Sequence, residues 1–543
     1  MQFADPVNEF QPQGRNTDTY TLSDDAAYQR GRHYIQFGFH GQQVKVRSYD
    51  ASGVEPVYSL AMGSGQTPLT TRNLPGISQS DLGIANGWLA TLGGYLDGYS
   101  ETYNVTTRTS GFVPGAAFLR HFTMNDYAFY VTDKWKVSPH LTLNLGLRYD
   151  LPGVVDEANS LELQPEWSGN AVATLLNPNT ELNFTGGSAG NPWYHRDKKD
   201  FAPNVGLAWD VFGDGKTAAR AGYSIFYVND QAILAPENML EANSGLQGTS
   251  ATTGLSGRVG SGLPAIVAPV YQVPLTTAYN YQTDPFNIVG SVDPNLHRPY
   301  VQQYSVSIQH DFKGTVFEAR YVGNHTVGAY RAFDFNQVNI SAGGFLQNFL
   351  TAQNNGLLAL KATGTFNPAY SQAVPGSQPL PVFSKLLSSG GLNSNVSRED
   401  GNVVNYIETG QPGELAYYLQ TNGYNPNNAV PFFANPDAIA ADMLTNYSSA
   451  SYNSLQLEAR HRTRSGLSLT ANYSFSKVLS DADGDSQTRF QNFLDINNPG
   501  IERSRANFDL THMIKASGFY ELPFGKDHAV HFRPCLLYTS RCV

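Results

Sequence analysis

The sequence is short of thiols, of charge and of long apolar runs. Both cysteines, Cys535 and Cys542, fall among the last nine of 543 residues, so the body needs neither a disulfide nor a cysteine-held metal to fold. Charged residues make up only 15%, against 12% aromatics and 51 glycines; strand and turn formers outweigh the Lys and Glu that favour helices. No apolar stretch reaches the roughly 18 residues of a transmembrane helix. The net charge of −10 speaks against a nucleic-acid partner, whose phosphates call for a basic patch. The opening MQFADPVNEFQPQG has neither the basic nor the apolar segment of a secretory leader. Twelve histidines form no H-E-x-x-H pair and there is no G-x-S-x-G elbow, so neither catalysis nor a cofactor is expected.

GDGKT at 213–217 looks like the end of a phosphate-binding loop, but Asp210 stands where its first glycine belongs. The flanks decide the matter. Val205, Leu207, Trp209 and Val211 alternate with polar or small residues before the motif, and Ala219, Ala221, Tyr223, Ile225 and Tyr227 alternate after it. Period two on both sides means two strands, with Asp214-Gly215 turning between them as a type I′ hairpin.

The same unit recurs. Alternating runs of about ten residues flank Gly31, Ser138-Pro139, Lys313-Gly314 and Ser465-Gly466, and NFDLTHMIKASGFYELPFG begins a further pair. About a dozen strands are readable, all as antiparallel hairpins. Between the pairs lie long, weakly periodic stretches rich in Gly, Ser, Asn and Pro: 48–123, 151–200, 229–298, 324–450 and 479–507. Tight and long connections therefore alternate, which in a meander gathers all tight turns at one end and all long loops at the other. Transmembrane β-barrels have this asymmetry. Strands of nine to eleven residues that are apolar on one side suit a bilayer, although a soluble β-sandwich or propeller would also alternate. The expected fold is all-β: a partial transmembrane antiparallel up-and-down barrel with long extracellular loops.

The run DKWKVSPHLTLNLGLRYD, at 133–150, closely resembles a barrel strand pair of TonB-dependent outer-membrane receptors. FAPNVGLAWDVFGDGKTAARAGYSIFY, RPYVQQYSVSIQHDFKGTVFEARYVGNH, SYNSLQLEARHRTRSGLSLTANYSFSKVLSD and ELPFG resemble, in order, the Oar-like branch that carries an N-terminal carboxypeptidase-regulatory-like domain. The resemblance implies an outer-membrane location, uptake of a scarce ligand and an energising TonB-type partner in the inner membrane. It also implies a signal peptide, a small β-sandwich, a TonB-contacting segment and a plug, none visible before residue 20. On this reading 1–19 lead into the barrel, 20–533 are a partial barrel, and 534–543, where RPCLLYTSRCV breaks the alternation, are a non-native tail. A monomer in outer-membrane lipid is expected; the alternatives are a passive outer-membrane channel and a soluble glycan-binding β-protein.

Side-chain parity assigns roles within that frame. Leu141, Leu143, Leu145, Leu147, Leu467 and Leu469 are expected to face lipid, and Tyr127, Phe129, Trp135 and Tyr149 to form the aromatic girdle, with Tyr127, Phe129, Tyr130 and Trp135 near the turn end. Arg148, Arg220, Glu318, Arg320, Glu458 and Arg460 are expected to face the lumen, where they solvate the wall or meet plug or ligand. Asp481, Asp483 and Asp485 occupy positions one, three and five of a calcium loop, but Ser486 and Asn492 stand where Gly and Glu are needed. They are a weak calcium candidate within what reads as a solvated acidic loop.

Overall fold

The computed structural model describes residues 11–63, 66–228, 232–387, 392, 401–463, 466–482 and 490–520. Its centre is one antiparallel meander of eleven strands in chain order: β1 (Gln13–Arg30), β2 (His33–Asp50), β3 (Phe118–Ser138), β4 (Leu141–Leu151), β5 (Asp200–Asp210), β6 (Thr217–Tyr227), β7 (Tyr300–Phe312), β8 (Thr315–Asp334), β9 (Ala440–Arg462), β10 (Leu467–Ser480) and β11 (His512–Tyr520). Among the described residues β1 pairs with β2 and β11 with β10, each on one side. The non-native tail assigned to 534–543 and the first ten residues lie outside the described residues.

Tight turns join β1–β2, β3–β4, β5–β6, β7–β8 and β9–β10, and the five remaining connections are long, so the expected asymmetry holds throughout. At Lys313-Gly314 both residues have positive φ, 53° and 83°, as a two-residue I′ turn demands, and Asp311 accepts the Gly314 amide at 3.0 Å. The GDGKT hairpin is wider than expected. β5 stops at Asp210, whose carboxylate accepts the amides of Gly213 at 3.1 Å and Gly215 at 3.0 Å. Both glycines lie at φ above 70°, a region open to glycine at little cost. A strand follows, not a helix, so nothing there resembles a phosphate cradle.

Several strands far exceed ten residues, up to the 23 of β9, because their long-loop ends project into a folded cap. The loops, read as weakly periodic, hold the packed cores. One unites Phe122, Met124, Trp193, Leu240, Leu296 and Leu444; a second, Leu161, Leu163, Leu182, Leu246, Leu275 and Val289. The third belongs to the 335–439 loop, where helices α1 (Phe345–Thr363), α2 (Gly401–Glu408) and α3 (Pro412–Thr421) enclose Phe345, Phe349, Phe383, Ile407, Leu419 and Phe432. Among the described residues no helix is long and apolar enough to cross a membrane.

Candidate functional site

Register fixes which side chains share a face, because partners directly across an antiparallel pair point the same way. Leu141, Leu143, Leu145 and Leu147 stand opposite Trp209, Leu207, Val205 and Pro203. The same parity passes to Ala219, Ala221 and Tyr223, then to Val306 and Ile308, Tyr321 and Phe317, Leu455 and Leu457, and finally Leu469, Tyr473 and Phe475. Leu467 joins it opposite Tyr520. These side chains are not covered: Leu147 is 44% exposed and Ile308 53%. Across so many strands they form an apolar surface well beyond the few hundred Å² usual on a soluble monomer.

Aromatic side chains border this leucine face at both ends. Trp135 and Trp209 lie close to the tight turns, and His33 stacks on Trp135 with centroids 5.3 Å apart while bonding Asp133 at 2.7 Å. Tyr127, Phe129 and Tyr149 lie at the other end of the spanning stretch, which corrects the expectation that Tyr127 and Phe129 gather at the turns. β3 runs on past the hairpin, and register pairs Phe129 with Tyr149 and Tyr127 with Leu151. There Tyr149 stacks on Phe201 at 4.5 Å, Phe39 meets Phe129 at 5.1 Å and Tyr227 meets Tyr300 at 5.8 Å. Tyr130, of the opposite parity, leaves the belt altogether and donates its hydroxyl to Asp25 at 2.5 Å. From Trp209 to Phe201 the strand advances roughly 26 Å, or about 20 Å along the normal at a tilt near 40°, comparable with the apolar band of a barrel.

The opposite, polar face carries all six charged residues singled out from sequence. Four of them meet: Glu318 holds Arg320 at 2.6 Å and Arg460 at 3.6 Å, and Glu458 holds Arg460 at 2.5 Å. Three of them, Glu318, Arg320 and Glu458, border a recess of about 260 Å³ with Gln456, Asn472 and Lys515. Arg148 chelates Asp150, and Arg220 donates to Gln309 at 3.1 Å. The guanidiniums of these pairs are half-exposed although Glu318 and Asp150 are buried, so water screens the pairs and their weight is in the polarity they give the wall.

Where the polar face meets the cap lies a larger pocket of about 460 Å³, lined by His40, Gln42, Asp126, Tyr130, Arg148, Asp150, Asn204, Phe226 and Arg298 among others. Arg298 pairs with Asp126. Sequence parity placed Arg148 on this face, but Arg298 precedes its strand in HRPY and Asp126 sits eleven residues from the nearest turn, so nothing local announced their meeting. Asp481 has its carboxylate committed to the Ser449 amide and hydroxyl; Asp483 and Asp485 lie outside the described residues.

The profile of the family described as "Outer membrane beta barrel domain" matches residues 2–534. The chain belongs to that family. As an outer-membrane β-barrel domain it is placed in the outer membrane, and its leucine face, belts and one-sided loops are those such a domain needs. No curated protein matches it. Among solved structures, the outer-membrane transporter YddB from Escherichia coli is 9% identical with a TM-score of 0.40, over 93% of this chain and 40% of that one. The FrpB iron transporter from Neisseria meningitidis is 9% identical, with a TM-score of 0.34 over 94% and 42%. The ferripyoverdine receptor of Pseudomonas aeruginosa is 10% identical, with a TM-score of 0.34 over 96% and 38%. The barrel domain thus spans about two fifths of the length of these structures.

Proposed function

We propose that the chain is the barrel portion of an Oar-like, TonB-dependent outer-membrane receptor that takes up a scarce ligand. The leucine face meets lipid, the polar face lines the lumen, and the folded long loops stand outside the cell to capture ligand. A TonB-type partner acts through a plug and contact segment that belong to the wider receptor. The observation that carries this reading is the continuity of one apolar and one charged face across the whole meander, with every long connection on one end of the sheet. Supporting it are the receptor-like runs at 133–150 and 201–227. A lumen wall built of paired charges suits contact with a polar plug, because a hydrated interface keeps such pairs from the full cost of burial.

Conductance of the complete protein in a planar bilayer tests the reading. A plugged receptor holds the membrane near its background conductance, and opens when the plug is unfolded by denaturant. A steady open current from the untreated protein would mean a passive channel.

A further inference from the structure

We propose that the 460 Å³ pocket between the polar face and the cap is a subsite for a neutral, hydroxyl-rich ligand, an oligosaccharide. This rests on the uptake reading and names the class of compound taken up. The volume falls within the roughly 300–1,000 Å³ of small-molecule sites. Its charges are already matched. The Arg148 Nε donates to both oxygens of Asp150, at 3.0 and 3.1 Å, with Nη2 at 2.9 Å. Arg298 lies against Asp126, and both side chains are close to nine-tenths buried. An anionic ligand would find both guanidiniums already compensated, and it would meet the carboxylates of Asp126 and Asp150.

What remains is suited to hydroxyl groups. Each hydroxyl both donates and accepts, and planar carboxylate, guanidinium and amide groups held in fixed pairs offer adjacent donors and acceptors at the spacing of a vicinal diol. Asp150 and Arg148 supply such a pair, and the Asn204 amide lines the same pocket. Phe226 supplies the other half of the recognition. Its ring is 41% exposed, on the polar face, with Gly222 and Ser224 as its same-face neighbours along β6. Gly222 is open enough that an added Cβ would make only ordinary contacts, at 3.6 Å to Ser305. With no side chain at Gly222 and only a short one at Ser224 on the same face, the exposed ring offers a flat apolar surface for the C–H face of a sugar ring.

A glycan array carrying neutral oligosaccharides beside uronic-acid and sulfated ones, probed with the purified complete protein in detergent, tests this. Neutral glycans bind; by calorimetry on the best of them, Phe226→Ala and Asp150→Asn each weaken binding by about tenfold. Arg462→Gln, an exposed residue at the tight-turn end of β9 and away from the pocket, leaves binding unchanged. Heat-modifiable gel mobility identifies variants that have folded, and Phe226, being half-exposed, is the variant least at risk. Binding of anionic glycans only, of none, or of neutral glycans with both substitutions silent would overturn the proposal. Binding is read without transport, so a conducting, unplugged protein that still bound neutral glycans would sink the receptor reading and leave this one standing.

Discussion

Leu147 has Val131 on one side and Pro203 on the other, so a charge placed there would have only apolar residues directly across from it. Leu147→Arg is expected to lower stability in bilayers by about 2–4 kcal/mol, whereas Asn144→Arg, three residues away on the polar face, leaves it nearly unchanged. Denaturant titration of the refolded protein in liposomes measures both; equal losses would refute the assignment of faces. Arg331 acts differently. It is 1% exposed and donates to the carbonyls of Asp481, Gln491 and Asn492 and to Glu502 at 2.6 Å, with its guanidinium 3.9 Å from the Phe493 ring. Arg331→Met strands the buried Glu502 carboxylate, and a local loss of roughly 3–5 kcal/mol follows. Hydrogen exchange should rise across 490–505 while β4 and β5 keep their protection.

In the cap, well beyond the aromatic belts, Asp334 and Asp442 face each other across β8 and β9. Burial pushes Asp334 up to about 6, against the pull of the Ala441 and Asn336 amides, and Asp442 up to about 7, with Asp334 adding to it. Asp442 Oδ1 is buried without a hydrogen-bond partner. A folded-state pKa above the unfolded value of about 3.9 means that the folded cap holds protons the unfolded chain has released. Stability at this junction therefore falls as pH rises from about 4 through 7. Amides 440–443 should be better protected at pH 5 than at pH 8 after correction for intrinsic exchange, and Asp442→Asn should remove most of the difference. A junction equally protected at both pH values would contradict the proton-sharing account.

At the scale of elements, the hairpins and the cap differ in what specifies them. A hairpin is written locally: alternating strands, a turn residue able to take positive φ, and a side chain such as Asp210 or Asp311 to receive the turn amides. The 335–439 loop is written less plainly. Its main helix places Phe345, Phe349, Ala352 and Ala359 on one buried stripe, a helical period present in FLQNFLTAQNNGLLALKAT, but Gly, Asn and Thr interrupt it, so no continuous apolar period stands out along the stretch. This loop is also self-contained. At its stem Asn336 accepts the Asn435 amide at 2.7 Å and donates to the carbonyls of Asn435 and Ala438, and the helical core draws its buried residues from between Ala342 and Phe432. Replacing 340–432 with a short Gly-Ser linker should leave the strands able to fold, read as retained heat-modifiable mobility. Loss of that mobility would show that the sheet depends on the insert.

At the scale of the whole molecule, the strand order, the alternation of short and long connections and the two faces were all legible, because each rests on period-two spacing that survives in any one strand. What was not legible was the packing of the loops and the place where they meet the wall. Arg298 reaches Asp126, and Arg331 reaches Glu502, across separations of 172 and 171 residues; nothing at either partner's position encodes the other. The division of labour follows from the solvent. In the proposed membrane setting, lipid and water take the place of a core between the belts, while above them the cap must bury its own apolar side chains as any soluble domain does.

The proposed membrane setting depends on the leucine face meeting lipid. Nitroxide scanning of 141–150 in the complete protein, reconstituted in liposomes with Cys535 and Cys542 replaced, addresses it most directly. Labels at Leu143, Leu145 and Leu147 should be relaxed by oxygen, which partitions into the bilayer, and labels at Thr142, Asn144 and Arg148 by a water-soluble nickel chelate, alternating residue by residue. Uniform access to the nickel chelate on both faces would contradict a membrane-spanning wall.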